Sequence, residues 1–319
     1  MATEALSLAS LNEDTERLIE KIRRQLGPQI CALLADPSVI EIALNTNGTL
    51  WVERLGQQME QIGAMSAAKA EALIGSIAAY YRQTITRQNP IFSGELPGFG
   101  ARVEAIIPPC SPAPIFTFRL PASQVFTLSM YVAAGILTES QKELIENAIN
   151  QRKNILVVGG TGSGKTTLAN ALIAEISRAT PEHRLVILED TAEIQCKAEN
   201  VVMLRTSESV DLLRLLRETM RLRPDRILVG EVRGPEALAL LKAWNTGHPG
   251  GVATIHANNA RAGLIRLEQL IAEASVTPMK ELVAEAVDLI ISIVKTPTGR
   301  KVNEIMTVNG FSNGEYHFG

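Results

Sequence analysis

What this chain has little of narrows it first. Its three cysteines, Cys31, Cys110 and Cys196, are far apart and odd in number. They offer neither a disulfide framework nor metal-ligand spacing, so reduced thiols are the simpler reading. No apolar run approaches the ~20 residues that span a bilayer. The longest, such as Ile155–Val158 and Leu289–Val294, are strand-sized. Residues 1–17 carry acids and no continuous apolar core, so no secretory leader is expected there. Net charge is only −3 over 319 residues, which excludes a polycation built to coat nucleic acid. No stable direct nucleic-acid binding is therefore expected. Internal repeats, low-complexity stretches and heptad runs are absent, and no N-K-x-D motif is present to read guanine.

What is there points to two domains, because a single core rarely grows past about 250 residues. Hydrophobic residues at 46% and charged residues at 20% fit a globular protein. Residues 1–127 read as a small α+β module. Thr15 to Leu26 has helical spacing that Gly27-Pro28 ends. Ile40–Leu44 and Thr49–Glu53 flank Asn47-Gly48, a hairpin signal because both residues tolerate positive φ. Ala67 to Tyr81 is again helical, and Ala101–Ile107 and Ile115–Leu120 read as strands. Residues 128–319 alternate short Val/Ile/Leu strands with helices. Thr138 and Gln141 form a capping box for a helix through Asn150. Then follow Ile155–Val158, a helix from Lys165, Leu185–Leu188, a helix Val210–Arg221, Ile227–Val229, a helix Pro235–Asn245 and Val252–Ile255. This is the signature of a mostly parallel sheet covered on both faces. The tail reads as a closing hairpin around Thr298-Gly299.

The sharpest motif is Gly159-Gly160-Thr161-Gly162-Ser163-Gly164-Lys165-Thr166, which satisfies G-x-x-x-x-G-K-[ST]. Its glycines let backbone N–H groups converge on phosphate oxygens, and the helix after it points its positive end at the same anion. Lys165 is expected to reach the β/γ-phosphates and the Thr166 hydroxyl to bind Mg²⁺, with Thr167 following in the same turn. A chance match arises in on the order of one chain in a hundred of this length. The buried strand before it and the helix after it are the context the motif needs. The ligands implied are ATP and Mg²⁺.

Acids end two of the other strands. Ile187-Leu188-Glu189-Asp190 puts Glu189 where a parallel strand meets the ligand crevice, able to orient or deprotonate an attacking water. Arg226 to Glu231 is an apolar strand in the place of a Walker B segment, with Gly230-Glu231 instead of the usual Asp. Glu231 is suited to hold Mg²⁺ through a water or to act as base; sequence alone does not divide those roles. His256 ends a further strand. His248 lacks partners at zinc-ligand spacing. Arg214, Arg217 and Arg221 share one face of an expected helix, either as a solvated or subunit-facing surface or as phosphate-sensing groups.

Together these segments resemble the type II/type IV secretion ATPases, the traffic ATPases. That family shows a Walker A loop, an Asp box (Leu188-Glu189-Asp190), a Walker B ending in Gly-Glu (Gly230-Glu231) and a His box (Gly247-His248 through His256) in this order. Arg221 to Gly251 looks most like the conjugative, TrbB-like branch. The resemblance implies a RecA-like P-loop domain in a homohexameric ring, with nucleotide held between the two domains. It implies that Arg102 and Arg119 reach the phosphates, that His256 senses the γ-phosphate, and that Glu189 is the catalytic base with Glu231 near the metal. It further implies an ATP-hydrolysing motor of a conjugative transfer or secretion system. The motor would be cytoplasmic, peripheral at the inner membrane, in contact with that apparatus's membrane components. Closure would hinge around residues 120–135. The alternative function is a DNA-translocating, helicase-like ATPase.

Overall fold

Contacts divide the computed structural model into two compact units, Met1–Ser123 and Gln124–Gly319. The structure describes residues 2–54, 57–121, 125–207, 209–296 and 299–319, with side chains from Asp14 onward. Thr298 of the tail turn and residues 122–124 of the expected hinge lie outside the described residues.

The first unit is one antiparallel sheet under two helices. Helix α1 (Ala2–Leu34) is broken at Gly27, whose φ of 80° and ψ of 167° leave the helical region. Pro28 does not end helical structure here; it starts a second segment, where its fixed φ and missing N–H are harmless. Strands β1 (Val39–Leu44), β2 (Thr49–Arg54), β3 (Glu60–Ala64), β4 (Ile91–Glu95), β5 (Arg102–Ile106) and β6 (Ile115–Arg119) lie in the order β3-β2-β1-β6-β5-β4. Strands β3 and β4 carry no clear apolar alternation and are not evident in the sequence. Helix α2 (Ala67–Tyr80), capped by Ser66, packs with α1 over the face formed by Ile42, Val52, Val103, Phe116 and Phe118.

The second unit contains an eight-stranded mixed sheet of order β14-β13-β12-β7-β11-β10-β8-β9. Its parallel part comprises β7 (Ile155–Gly159), β8 (Leu185–Glu189), β9 (Val201–Arg205), β10 (Arg226–Val229), β11 (Val252–His256) and β12 (Leu289–Thr296). The antiparallel strands β13 (Gly299–Ser312) and β14 (Glu315–Phe318) extend one edge. Alternate residues of β7 separate two cores, as the period of two requires. Leu156 and Val158 join α6 (Leu212–Thr219), α7 (Glu236–Asn245), α8 (Ala260–Ala272) and α9 (Lys280–Ala286). Ile155 and Val157 join α3 (Leu128–Ala133), α4 (Glu139–Asn150) and α5 (Lys165–Ala179) on the opposite face. The Thr138–Gln141 capping box forms as expected. Helix α6 is shorter than the spacing suggests, because Asp211 caps it and Val210 is held in a bridge to Ser207.

A polar clamp ties the amino ends of the central strands together. Asn154 Oδ1 accepts from the amides of Gly250 and Gly251, and its Nδ2 donates to Ala286 O. Arg226 is fully buried, donating from Nε to His183 Nδ1 and from its two terminal nitrogens to Gly250 O and Ile149 O, each over 3.1 Å. Burial pulls this guanidinium down to about 10. The sheet is thus fastened at one end. The chemistry-bearing residues lie at the other.

Candidate functional site

The phosphate loop grows from a strand buried along its whole length. After β7 the chain turns through Gly160 to Gly164 and enters α5. Gly162 at φ 68° and Gly164 at φ 98° take the left-handed conformation that side chains resist. Gly159 is fixed by crowding instead: a Cβ there would stand 2.4 Å from both Ile293 O and Ser163 Oγ. The residues after β7 therefore form a tight backbone cradle at the start of a 15-residue helix. Ser163 is buried inside it, and its Oγ has no hydrogen-bond partner.

Lys165 lies back across the loop. Its Nζ donates to Gly160 O over 3.1 Å and sits 3.2 Å from His256 Nδ1. Parallel pairing of β11 with β7 sets His256 opposite Gly159, which explains the meeting. Glu231, just after β10, brings Oε1 to 2.8 Å from His256 Nε2, and its Oε2 accepts from Arg233 over 2.6 Å. The approach to His256 is a close contact in which Glu231 Oε1 accepts no hydrogen bond among the described residues. Burial, assisted by Lys165 and Arg233, holds the imidazole below its usual value against the pull of Glu231. Near neutrality His256 is therefore uncharged.

Glu189 is enclosed by the loop that follows its strand. It is only 3% exposed, and its Oε1 accepts from the amides of Glu193 (2.9 Å) and Ile194 (2.7 Å). Burial pushes its carboxyl up, opposed by those two amides. The group expected to handle water is instead turned into the loop that follows it. The carboxylate that meets the phosphate loop is Glu193, whose Oε2 accepts from Thr166 Oγ1 over 3.2 Å. Asn170 on α5 fastens this loop by donating to Glu193 O and accepting from Gln195 N. The signal available in the sequence was an acid four residues beyond Glu189, close enough to return to the same strand end.

This oxygen set suits Mg²⁺. The ion keeps several waters and takes one or two protein oxygens beside substrate phosphates, rather than a protein cage. Thr166 and Glu231 supply such donors. No cluster of three or more His, Cys, Asp or Glu side chains forms a cage among the described residues.

The arginines are distributed differently from the expected single face. Arg221 lies beyond the end of α6, pairs with Glu218 over 2.7 Å and is exposed. Arg214 and Arg217 are exposed on α6 itself. In the first unit, Arg102 and Arg119 face each other directly across β5 and β6. Arg102 forks onto Glu104 Oε1, and the Arg119 charge bears on Glu41. His248 is half-buried, with Nδ1 unpartnered. Among the described residues no helix is long and apolar enough to cross a membrane.

Residues 25–310 match the family described as type II/IV secretion system protein. The chain is 56% identical over 300 residues to a probable conjugal transfer protein TrbB of Sinorhizobium fredii, covering 94% of this chain and 92% of that one. It is 35% identical over 266 residues to the type IV secretion system protein PtlH of Bordetella pertussis, covering 73% and 77%. Among solved structures, the pilus retraction motor PilT superposes with a TM-score of 0.62 at 20% identity, covering 87% of this chain and 80% of that one. The Legionella pneumophila ATPase DotB gives 0.60 at 21%, covering 86% and 78%. These likenesses support the mixed α/β fold. By sequence, the chain belongs to the type II/IV secretion system protein family.

Proposed function

We propose that this protein is the ATP-hydrolysing motor of a conjugative, type IV secretion-type transfer system. One observation carries the reading: three neighbouring strands bring Lys165, His256 and Glu231 into a continuous chain of contacts at the mouth of the phosphate loop. The relatives in conjugal transfer and type IV secretion supply the context.

The second unit is then a RecA-like domain and the first an oligomerisation and nucleotide-capping domain. The loop amides and the α5 dipole hold the phosphates, and Lys165 leaves Gly160 O to follow the β/γ oxygens. Thr166 would hold Mg²⁺, which when bound would supply charge neutralisation to the phosphates. Glu193 takes over the role first given to Glu189, holding the attacking water and receiving its proton. Glu231 would help hold the same ion through a water. Neutral His256, between Glu231 and Lys165, reports the γ-phosphate by exchanging its contacts when Lys165 moves. Arg102 and Arg119 stand in direct register across β5 and β6, with Glu104 and Glu41 as their neighbouring carboxylates, and a further anion would be shared by both guanidinium groups. Phosphate is the anion we assign. The assembly is a homohexamer at the cytoplasmic face of the inner membrane, engaging membrane components of the transfer apparatus.

Transfer frequency in cells carrying Glu231→Gln, beside the purified variant's ATPase rate, tests the reading. Both are expected to collapse together. Normal transfer with hydrolysis abolished would sink the motor role.

A further inference from the structure

Arg300 meets the phosphate loop from a side that no motif announces. It is the second residue of β13 and pairs in register with Lys295 of β12. Strand β12 in turn pairs with β7, so this edge of the sheet returns the chain to the loop. The approach is close: a Cβ built on Gly164 would lie 3.0 Å from Arg300 Cδ and 3.2 Å from its Nε. Gly164 is the N-cap of α5, the point where the helix presents its free amides and positive end. Arg300 is half-buried, and its Nε is buried with no hydrogen-bond partner among the described residues. No described carboxylate pairs with it, and its charge also bears on the buried Tyr131 of α3.

Each of these facts is unfavourable in the protein alone. A cation at the positive end of a helix adds like charge to like. A buried N–H without an acceptor forfeits a hydrogen bond. One anion beside Gly164 relieves all of them. Lys165 and Thr166 serve the β/γ end of the nucleotide, while the loop amides cradle the α- and β-phosphates. With the β/γ end served by Lys165 and Thr166, the phosphate left for an arginine beside Gly164 is the α-phosphate.

We infer that Arg300 contacts the α-phosphate of the bound nucleotide. The inference rests on the nucleotide-binding reading above. A contact to the α-phosphate is common to ATP and ADP and changes little as the γ-phosphate is transferred. Arg300 is thus a positioning residue that binds substrate and product alike, setting affinity but not the rate of the chemical step.

Arg300→Met preserves the stem over Gly164 and removes the guanidinium. Affinity for a fluorescent ADP, measured without turnover, is expected to fall about tenfold or more, in the range of a charge-assisted hydrogen bond. ATP affinity falls by the same factor, KM rises and kcat is unchanged. The melting temperature without nucleotide stays at the wild-type value. If Arg300→Met melts lower, Arg300→Gln is measured in its place. Unchanged ADP affinity in a folded variant overturns the inference, as does a loss confined to ATP. Wild-type protein that binds no ADP overturns the nucleotide reading itself, which separates the two failures.

Discussion

Thr166 donates its hydroxyl to Glu193, while Glu189, four residues earlier, accepts from the amide of that same Glu193. One carboxylate thus holds the loop that delivers the other. Glu193→Gln should lower kcat by about 100-fold or more, the scale of a lost general base, and leave melting unchanged. Glu189→Ala should instead cost about 1–3 kcal/mol, because two amides lose their acceptor. Glu189→Gln retains an oxygen for them and should keep both fold and most turnover. Steady-state ATPase rates and thermal melts of the three variants decide the matter; the opposite pattern would return the base to Glu189.

Lys165→Ala should abolish hydrolysis without disturbing the sheet. The ammonium contacts a loop carbonyl and the His256 ring, and both are surface-facing neighbours rather than core. Wild-type-like turnover in this variant would rule out the phosphate loop as the working site.

Acid should weaken the fold through His183. Its Nδ1 accepts from the buried Arg226, so that nitrogen must keep its lone pair. Burial first, then Arg226 and Arg152, hold this imidazole below 6.5. The unfolded chain binds the proton more readily, so this contribution is complete above pH 6.5 and declines as pH falls through the folded-state value. His183→Asn offers a non-titrating acceptor and should flatten that decline in urea midpoints followed across this range. Identical pH profiles for the two proteins would disprove the coupling.

Nucleotide should promote six-fold rings, visible by native mass measurement or electron microscopy. A strict monomer at micromolar concentration with ATP and Mg²⁺ would contradict the proposed assembly.

The sequence revealed the residues whose chemistry depends on local spacing. The phosphate loop, the Thr138 capping box and the strand-end positions of Glu231 and His256 all follow from neighbours within a few residues. Strand-end position does not specify which way the Glu189 side chain turns; the two loop amides decide that. Glu193 needed the loop to fold back, and Arg300 needed the order β13-β12-β7, which no pattern near residue 300 encodes. The edge strand β9 carries a run of only four apolar residues, Val201 to Leu204, too short to separate a strand from a loop by pattern alone. Arg226 passed as one basic residue among several, since only the folded chain surrounds it with His183, Gly250 and Ile149.

The Asn154 and Arg226 clamp has a mechanical consequence. It joins the starts of β7, β10 and β11, whereas Lys165, Glu231 and His256 stand at or just past their finishes. Strands held so cannot slip past one another when charge changes at their tips. The parallel ladders between β7, β11 and β10 add lateral stiffness, so the three tips form a common rigid ledge from which the segments leading to α5, α7 and α8 depart.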